Sequence, residues 1–125
     1  MENIILVVED SDSSALTIEL AVASLPQVTV ARVGTGSAAI EFLEAQNGNV
    51  RAVVTDLQMP SMDGFELIER VRADQKLARL PIIVVSGDTN PETPERVRRL
   101  GADSFFTKPF SPAEVRRKLE QLLHA

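Results

Sequence analysis

Five short apolar runs recur along this sequence at regular spacing. Ile4 to Val8 is an unbroken run of β-branched residues and Leu, and Ala52 to Val54 and Ile82 to Val85 are built the same way. Strands that are buried on both faces have this composition. Val28 to Val33 is more polar, with Thr29 and Arg32, and Ser104 to Thr107 is short and carries Phe105 and Phe106.

Helical patterns separate these runs. Ser13 to Ser24 is rich in Ala and Leu, and Ala39, Ile40 and Leu43 mark a second helix that stops near Asn47-Gly48. Gly64, Leu67, Ile68 and Val71 share one helical face. Thr93-Pro94 predicts an N-cap with Pro at the first helical position, followed by Val97 and Leu100, and Gly101 stops that helix. Ser111-Pro112-Ala113-Glu114 predicts a capping box, and Val115, Leu119 and Leu122 follow as an apolar stripe. Strand and helix thus alternate five times, which calls for an α/β domain with a parallel sheet covered on both faces. The most apolar strands, the first, third and fourth, belong in the centre. With right-handed crossovers the expected order is 2-1-3-4-5, a doubly wound, flavodoxin-like sheet.

The 125 residues suit one domain spanning 1–125. Without Cys, the chain has no disulfide, thiolate metal site or cysteine nucleophile, and its one histidine, His124, cannot build a histidine metal site alone. No apolar run approaches the ~20 residues of a membrane span. Met1-Glu2-Asn3 lacks the basic flank of a signal peptide, so a cytoplasmic location is expected. The chain ends at His124-Ala125, so no output domain is expected after the fifth helix. A net charge of −5 argues against direct nucleic acid binding and allows a cation to be held. The basic clusters Arg96, Arg98, Arg99 and Arg116, Arg117, Lys118 are expected to be solvated helix faces paired with nearby Glu.

The stretch AVVTDLQMP, residues 52 to 60, sets a carboxylate at the end of a buried strand. In a 2-1-3-4-5 sheet, ligands bind outside the carboxyl ends of the strands, where the winding reverses. The first strand ends in Glu9-Asp10, followed by Asp12; the third ends in Asp56, the fourth in Ser86-Gly87-Asp88 and the fifth in Lys108-Pro109. Singly, each has an ordinary explanation. Asp10 or Asp12 can cap a helix, and for Asp12 that is the expected role. Asp56 can be a loop acid, Ser86 part of a turn and Lys108 a surface lysine. Together, Glu9, Asp10 and Asp56 crowd like charges that a hard divalent cation would relieve, and Mg²⁺ suits one or two carboxylates plus a phosphoryl oxygen. Lys108 adds a positive charge and Ser86 a hydroxyl, so Asp56 is placed to act as a nucleophile toward a phosphoryl group.

The motifs LVVEDS (6–11), VVTDLQMPSMDG (53–64), IIVVSGD (82–88) and GADSFFTKPF (101–110) resemble those of two-component response regulator receiver domains, over the full chain. The resemblance implies that Asp56 is the phosphoacceptor, with Lys108 contacting the phosphoryl group. It implies Mg²⁺ bound by Asp10, Asp56 and the Gln58 carbonyl, with Glu9 acting through water. Ser86 and Phe105 take the switch positions, Phe105 lacking the hydroxyl of the more common Tyr. Gln58 and Asp88 flank the path of the hydrolytic water, and the Lys108-Pro109 bond is cis. The implied function is a phosphorylation-activated switch that presents a changed surface formed by the fourth helix, fifth strand and fifth helix. Its chemistry is limited to phosphotransfer to itself and slow self-dephosphorylation, so it is not an enzyme in the usual sense. Expected partners are a sensor histidine kinase or histidine phosphotransfer protein and a downstream target, the chain being a monomer or a phosphorylation-dependent dimer. Two alternatives fit less well. A haloacid dehalogenase-type phosphatase needs a general acid where Gln58 stands, and Glu9-Asp10-Ser11-Asp12 would repel a flavin phosphate.

Overall fold

A computed structural model describes residues 3–46 and 48–124. Met1, Glu2, Asn47 and Ala125, which bear on the leader, the stop of the second helix and the chain end, lie outside the described residues. The elements are β1 (Ile4–Val8), α1 (Asp12–Ala23), β2 (Thr29–Val33), α2 (Gly36–Gln46), β3 (Val50–Thr55), α3 (Gly64–Ala73), β4 (Ile82–Ser86), α4 (Thr93–Leu100), β5 (Ser104–Thr107) and α5 (Pro112–Leu123). All strand pairs are parallel, in the order β2-β1-β3-β4-β5.

The continuous apolar runs follow from this order. Side chains of a strand point alternately to its two faces. Ile4, Leu6 and Val8 join Val53, Ile82 and Val84 in one core, with Leu43 of α2, Leu67, Ile68 and Val71 of α3, and Val97 of α4. Ile5 and Val7 join Val54, Ile83 and Val85 in the other, with Ile18 and Val22 of α1 and Val115 and Leu119 of α5. The edges β2 and β5 have one neighbour each, and their side chains are partly or fully exposed.

Several boundaries differ from the sequence reading. β3 begins at Val50: exposed Arg51 interrupts the apolar run, and the ladder with β1 shifts register there, Ile4 pairing with Val50 and Ile5 with Ala52. α1 begins at Asp12 after the extended Ser11, so Asp12 lies in the first turn and is not the cap. There its carboxylate accepts from Arg32 Nη1 at 2.9 Å. Thr93 is likewise not an N-cap. Glu92 holds that position with helical dihedrals and no side-chain cap bond. Thr93 is buried, and its hydroxyl donates to Asp88 Oδ2 at 3.0 Å. Competition from Asp88 for that hydroxyl explains the shift.

At α5 Ser111 is the N-cap, its Oγ accepting from the Glu114 amide at 3.3 Å, which is one half of the expected capping box. α3 carries a better cap, Asp63 Oδ1 accepting from Glu66 N at 2.9 Å. Asp63→Ala should therefore cost about 1 kcal/mol in urea unfolding, with an unchanged denaturant slope. Three of the six basic residues of α4 and α5 have an intrahelical acidic partner. Arg98 and Arg99 pair with Glu95, and Arg116 with Glu120. Arg96 instead lies 3.7 Å over the Phe65 ring. No described helix is long and apolar enough to cross a membrane.

Candidate phosphoacceptor site

The sheet register brings the strand ends together. Val8 pairs with Thr55, and Ser86 with Thr107. The ladder then continues one residue beyond the strands. Glu9 N donates to Val33 O at 3.0 Å, Asp56 N to Val8 O at 3.0 Å, and Lys108 N to Ser86 O at 2.9 Å. Glu9, Asp56 and Lys108 are thus fixed by backbone hydrogen bonds on three strands before their side chains interact.

Lys108 joins the two buried acids. Its Nζ lies 2.6 Å from Glu9 Oε1 and 3.1 Å from Asp56 Oδ2. The second oxygen of each carboxylate accepts a backbone amide, Ser11 N to Glu9 Oε2 at 3.2 Å and Leu57 N to Asp56 Oδ1 at 2.7 Å. Burial pushes the Glu9 carboxyl above its ordinary range, against the opposing hydrogen bonds from Lys108 and Ser11. Burial works the other way on the Lys108 ammonium. There the hydrogen bond to Glu9 and the charge of Asp56 prevail, and the ammonium is held above the usual lysine range.

Asp10 stands beside them, exposed. Carboxylate oxygens of Glu9, Asp10 and Asp56 lie within 4.8 Å of one another. One ammonium facing three carboxylates leaves a net negative site with hard oxygen donors. Those donors fit a small divalent ion such as Mg²⁺. Thr55 Oγ1 donates to Asp56 O at 2.7 Å and fixes the peptide that follows the acid. The chain then turns through Leu57 and exposed Gln58 to α3, where Gly64 N returns to Leu57 O at 2.8 Å.

The family model of the response regulator receiver domain matches residues 5–120. The chain belongs to that family. Chemotaxis protein CheY1 of Helicobacter pylori is 31% identical to this receiver domain over 119 residues, 95% of each chain. The two-component response regulator ORR11 of Oryza sativa is 34% identical over 94 residues, which are 75% of this chain and 63% of the rice protein. The chain thus spans less than two thirds of that relative. Among solved structures, the receiver domain of a sensor histidine kinase from Pseudomonas aeruginosa has a TM-score of 0.86 at 28% identity and 100% coverage of both chains. It was solved with a magnesium ion coordinated in its active site cleft. Chemotaxis response regulator CheY4 of Vibrio cholerae has a TM-score of 0.82 at 25% identity, covering 98% of this chain and 99% of that one. The function that accompanies this membership is that of a phosphorylation-activated signalling switch, and neither the phosphatase nor the flavin-carrier alternative is supported.

The receiver domain gathers Glu9, Asp10, Asp56 and Lys108, and sets Ser86 on the neighbouring strand end. The Lys108–Pro109 peptide bond is cis. Ser86 is fully buried, and its Oγ accepts from Asp88 N at 3.1 Å. The Asp88 carboxylate is committed to its own loop, accepting from Asn90 N at 2.8 Å and from Thr93 Oγ1. Phe105 is apart from this group, half-buried, like Leu100, against the core that contains Val97. Sequence reasoning missed three supporting residues: Arg32, Thr55 and Gly64. Arg32 left a signal, being a cation within the second strand. The contacts of Thr55 and Gly64 depend on how the chain turns after Asp56, and no local pattern reports that.

Proposed function

We propose that the chain acts as one receiver unit in which Asp56 accepts a phosphoryl group from a phosphohistidine of a sensor kinase or phosphotransfer protein. The observation that carries this reading is the double ion pair of Lys108 with Glu9 and Asp56, on strand ends fixed by the sheet. Asp10, Asp56 and the Gln58 carbonyl would hold Mg²⁺, with Glu9 acting through water. When bound, the ion would neutralise charge on the phosphoryl oxygens.

An Asp56 carboxylate oxygen attacks phosphorus and forms the acyl phosphate bond. The phosphorus–nitrogen bond of the donor breaks, and the leaving imidazole keeps the electron pair and takes up a proton. Lys108 is already within hydrogen-bonding distance of Asp56 and can follow the added charge. The Ser86 hydroxyl is the nearby neutral donor, and its move toward the phosphoryl group disturbs its bond with Asp88 N. That bond leads through Asp88 to Thr93, the first residue of α4. Phe105, packed beside α4, adjusts with it, and the α4-β5-α5 surface presented to a partner changes. Gln58 and Asp88 modulate hydrolysis of the acyl phosphate. Asp88 acts there through its loop as well as through its charge.

The test is incubation with acetyl phosphate, with Mg²⁺ and with chelator, and site mapping by mass spectrometry. Modification should fall on Asp56, require Mg²⁺, and vanish in Asp56→Asn. Equal labelling under chelation, or a phosphoryl group on Ser86, sinks the assignment.

A further inference from the structure

We infer that Arg32, on the edge strand β2, is a positioning residue that sets the Asp10 carboxylate for the divalent ion; this rests on the metal reading above. Arg32 contacts both sides of Asp10. Its Nε donates to the Glu9 carbonyl at 3.1 Å, and its Nη1 to Asp12 Oδ1 at 2.9 Å. Glu9 ends the β1 ladder and Asp12 opens α1, so one planar guanidinium spans the turn that carries Asp10. A lysine cannot do this, because its ammonium is a single point without the rigid fork. The same contact directs Asp12 to Arg32, and Asp12 is not among the acids that gather at the site.

Two effects of Arg32 on metal binding have opposite signs. A cation near the site repels a divalent ion, whereas a fixed turn holds Asp10 in place. The repulsion is weak, because Asp12 neutralises the guanidinium and the Asp12 side chain is 96% exposed to screening water. The bond to the Glu9 carbonyl is part-buried and charge-assisted, so it survives better. Positioning therefore prevails.

Mg²⁺ affinity is measured by calorimetry at fixed ionic strength, alongside hydrogen exchange at the Asp10 to Asp12 amides. Arg32→Met should weaken Mg²⁺ binding about tenfold, the low end for groups that orient a metal ligand. Arg32→Lys should also bind more weakly than wild type, although the charge is kept. Exchange at residues 10–12 should quicken in both variants while the β1 and β3 amides stay protected. Asp12→Asn, which leaves the Glu9 carbonyl bond in place, should change affinity by less than about twofold. Equal or tighter binding by Arg32→Met, or wild-type affinity in Arg32→Lys, overturns the inference. If Arg32→Met does not fold, the lysine variant and its exchange rates decide alone. Wild-type protein that fails to bind Mg²⁺ overturns the metal reading and this inference with it. Normal wild-type binding with unaffected Arg32 variants overturns this inference only.

Discussion

Lys108→Met is expected to lower the stability of the metal-free protein by about 3 kcal/mol, the low end for removing one partner of a buried ion pair. It should slow phosphoryl acceptance by roughly 10²-fold, as loss of a charge-stabilising donor does. The large stability term comes from burial. The side chains of Glu9 and Asp56 are 1% and 9% exposed, and Lys108 is the cation within hydrogen-bonding distance of both. Methionine fills similar space but leaves two carboxylates facing each other in a poorly solvated crevice. Their amide partners, Ser11 N and Leu57 N, remain, which keeps the expected loss near the lower bound.

Two further measurements separate this account from a simple packing defect. The first is Mg²⁺, which should raise the melting temperature of Lys108→Met more than that of wild type, because the variant has more uncompensated charge to gain from a cation. The second is acid. The Glu9 carboxyl already sits above its ordinary range through burial, and the Lys108 hydrogen bond opposes that shift. Removing Lys108 raises it further. A raised folded value means that the native state binds more protons than the unfolded chain between the ordinary glutamate range and that value. Stability therefore falls as pH rises through this window, and the cost of ionised Glu9 disappears below it. The deficit of Lys108→Met relative to wild type should shrink on acidification from neutral pH. A deficit that is constant with pH and indifferent to Mg²⁺ would make the defect one of packing.

Much of the fold was legible because burial on both faces leaves a simple trace. Ile4 to Val8 and Ile82 to Val85 are apolar without alternation, since neighbouring residues enter opposite cores. The strand order then placed Glu9, Asp10, Asp56 and Lys108 at one crevice with no side-chain information. Thr93 is not the cap that the Thr93-Pro94 pattern predicts, because capping competes with tertiary partners. Its hydroxyl goes to Asp88, five residues earlier across a loop, and local propensity carries no record of that choice. Arg32 was legible only as polarity on an edge strand. That its guanidinium spans the Glu9-to-Asp12 turn depends on the β1–β2 register, which sets Val7 opposite Arg32. Asp103 shows the same limit. Its carboxylate accepts from Ile82 N at 2.8 Å and pairs with Arg72, a residue 31 positions away that also donates to Gly101 O.

Gly64→Ala is expected to destabilise the protein by about 3 kcal/mol, the upper end of ordinary overpacking. On propensity alone the sign would be reversed, because alanine in a helix is favoured over glycine by up to about 1 kcal/mol. Contact geometry decides otherwise. A Cβ at residue 64 would fall on the Asp56 carbonyl oxygen and within 2.7 Å of Leu57 Cα. Both obstacles are backbone, so no rotamer change relieves them. The Asp56 peptide is itself held, by Thr55 Oγ1 on its oxygen and by the Leu57 N bond to Asp56 Oδ1, and the next peptide is held by the Leu57 O bond to Gly64 N. Relief must come from moving α3 away or from shifting residues 56 to 58, the segment that carries the phosphoacceptor. A displacement near 1 Å there should slow phosphoryl acceptance by roughly 10²-fold even in molecules that remain folded. Gly87→Ala is the control. It lies beside Ser86 at the same crevice, yet an added Cβ there meets nothing within 4 Å. Urea unfolding of both variants, with phosphorylation rates taken where each is folded, makes the comparison. If Gly64→Ala is as stable as Gly87→Ala and as quickly phosphorylated as wild type, the close approach of α3 to Asp56 does not constrain the site.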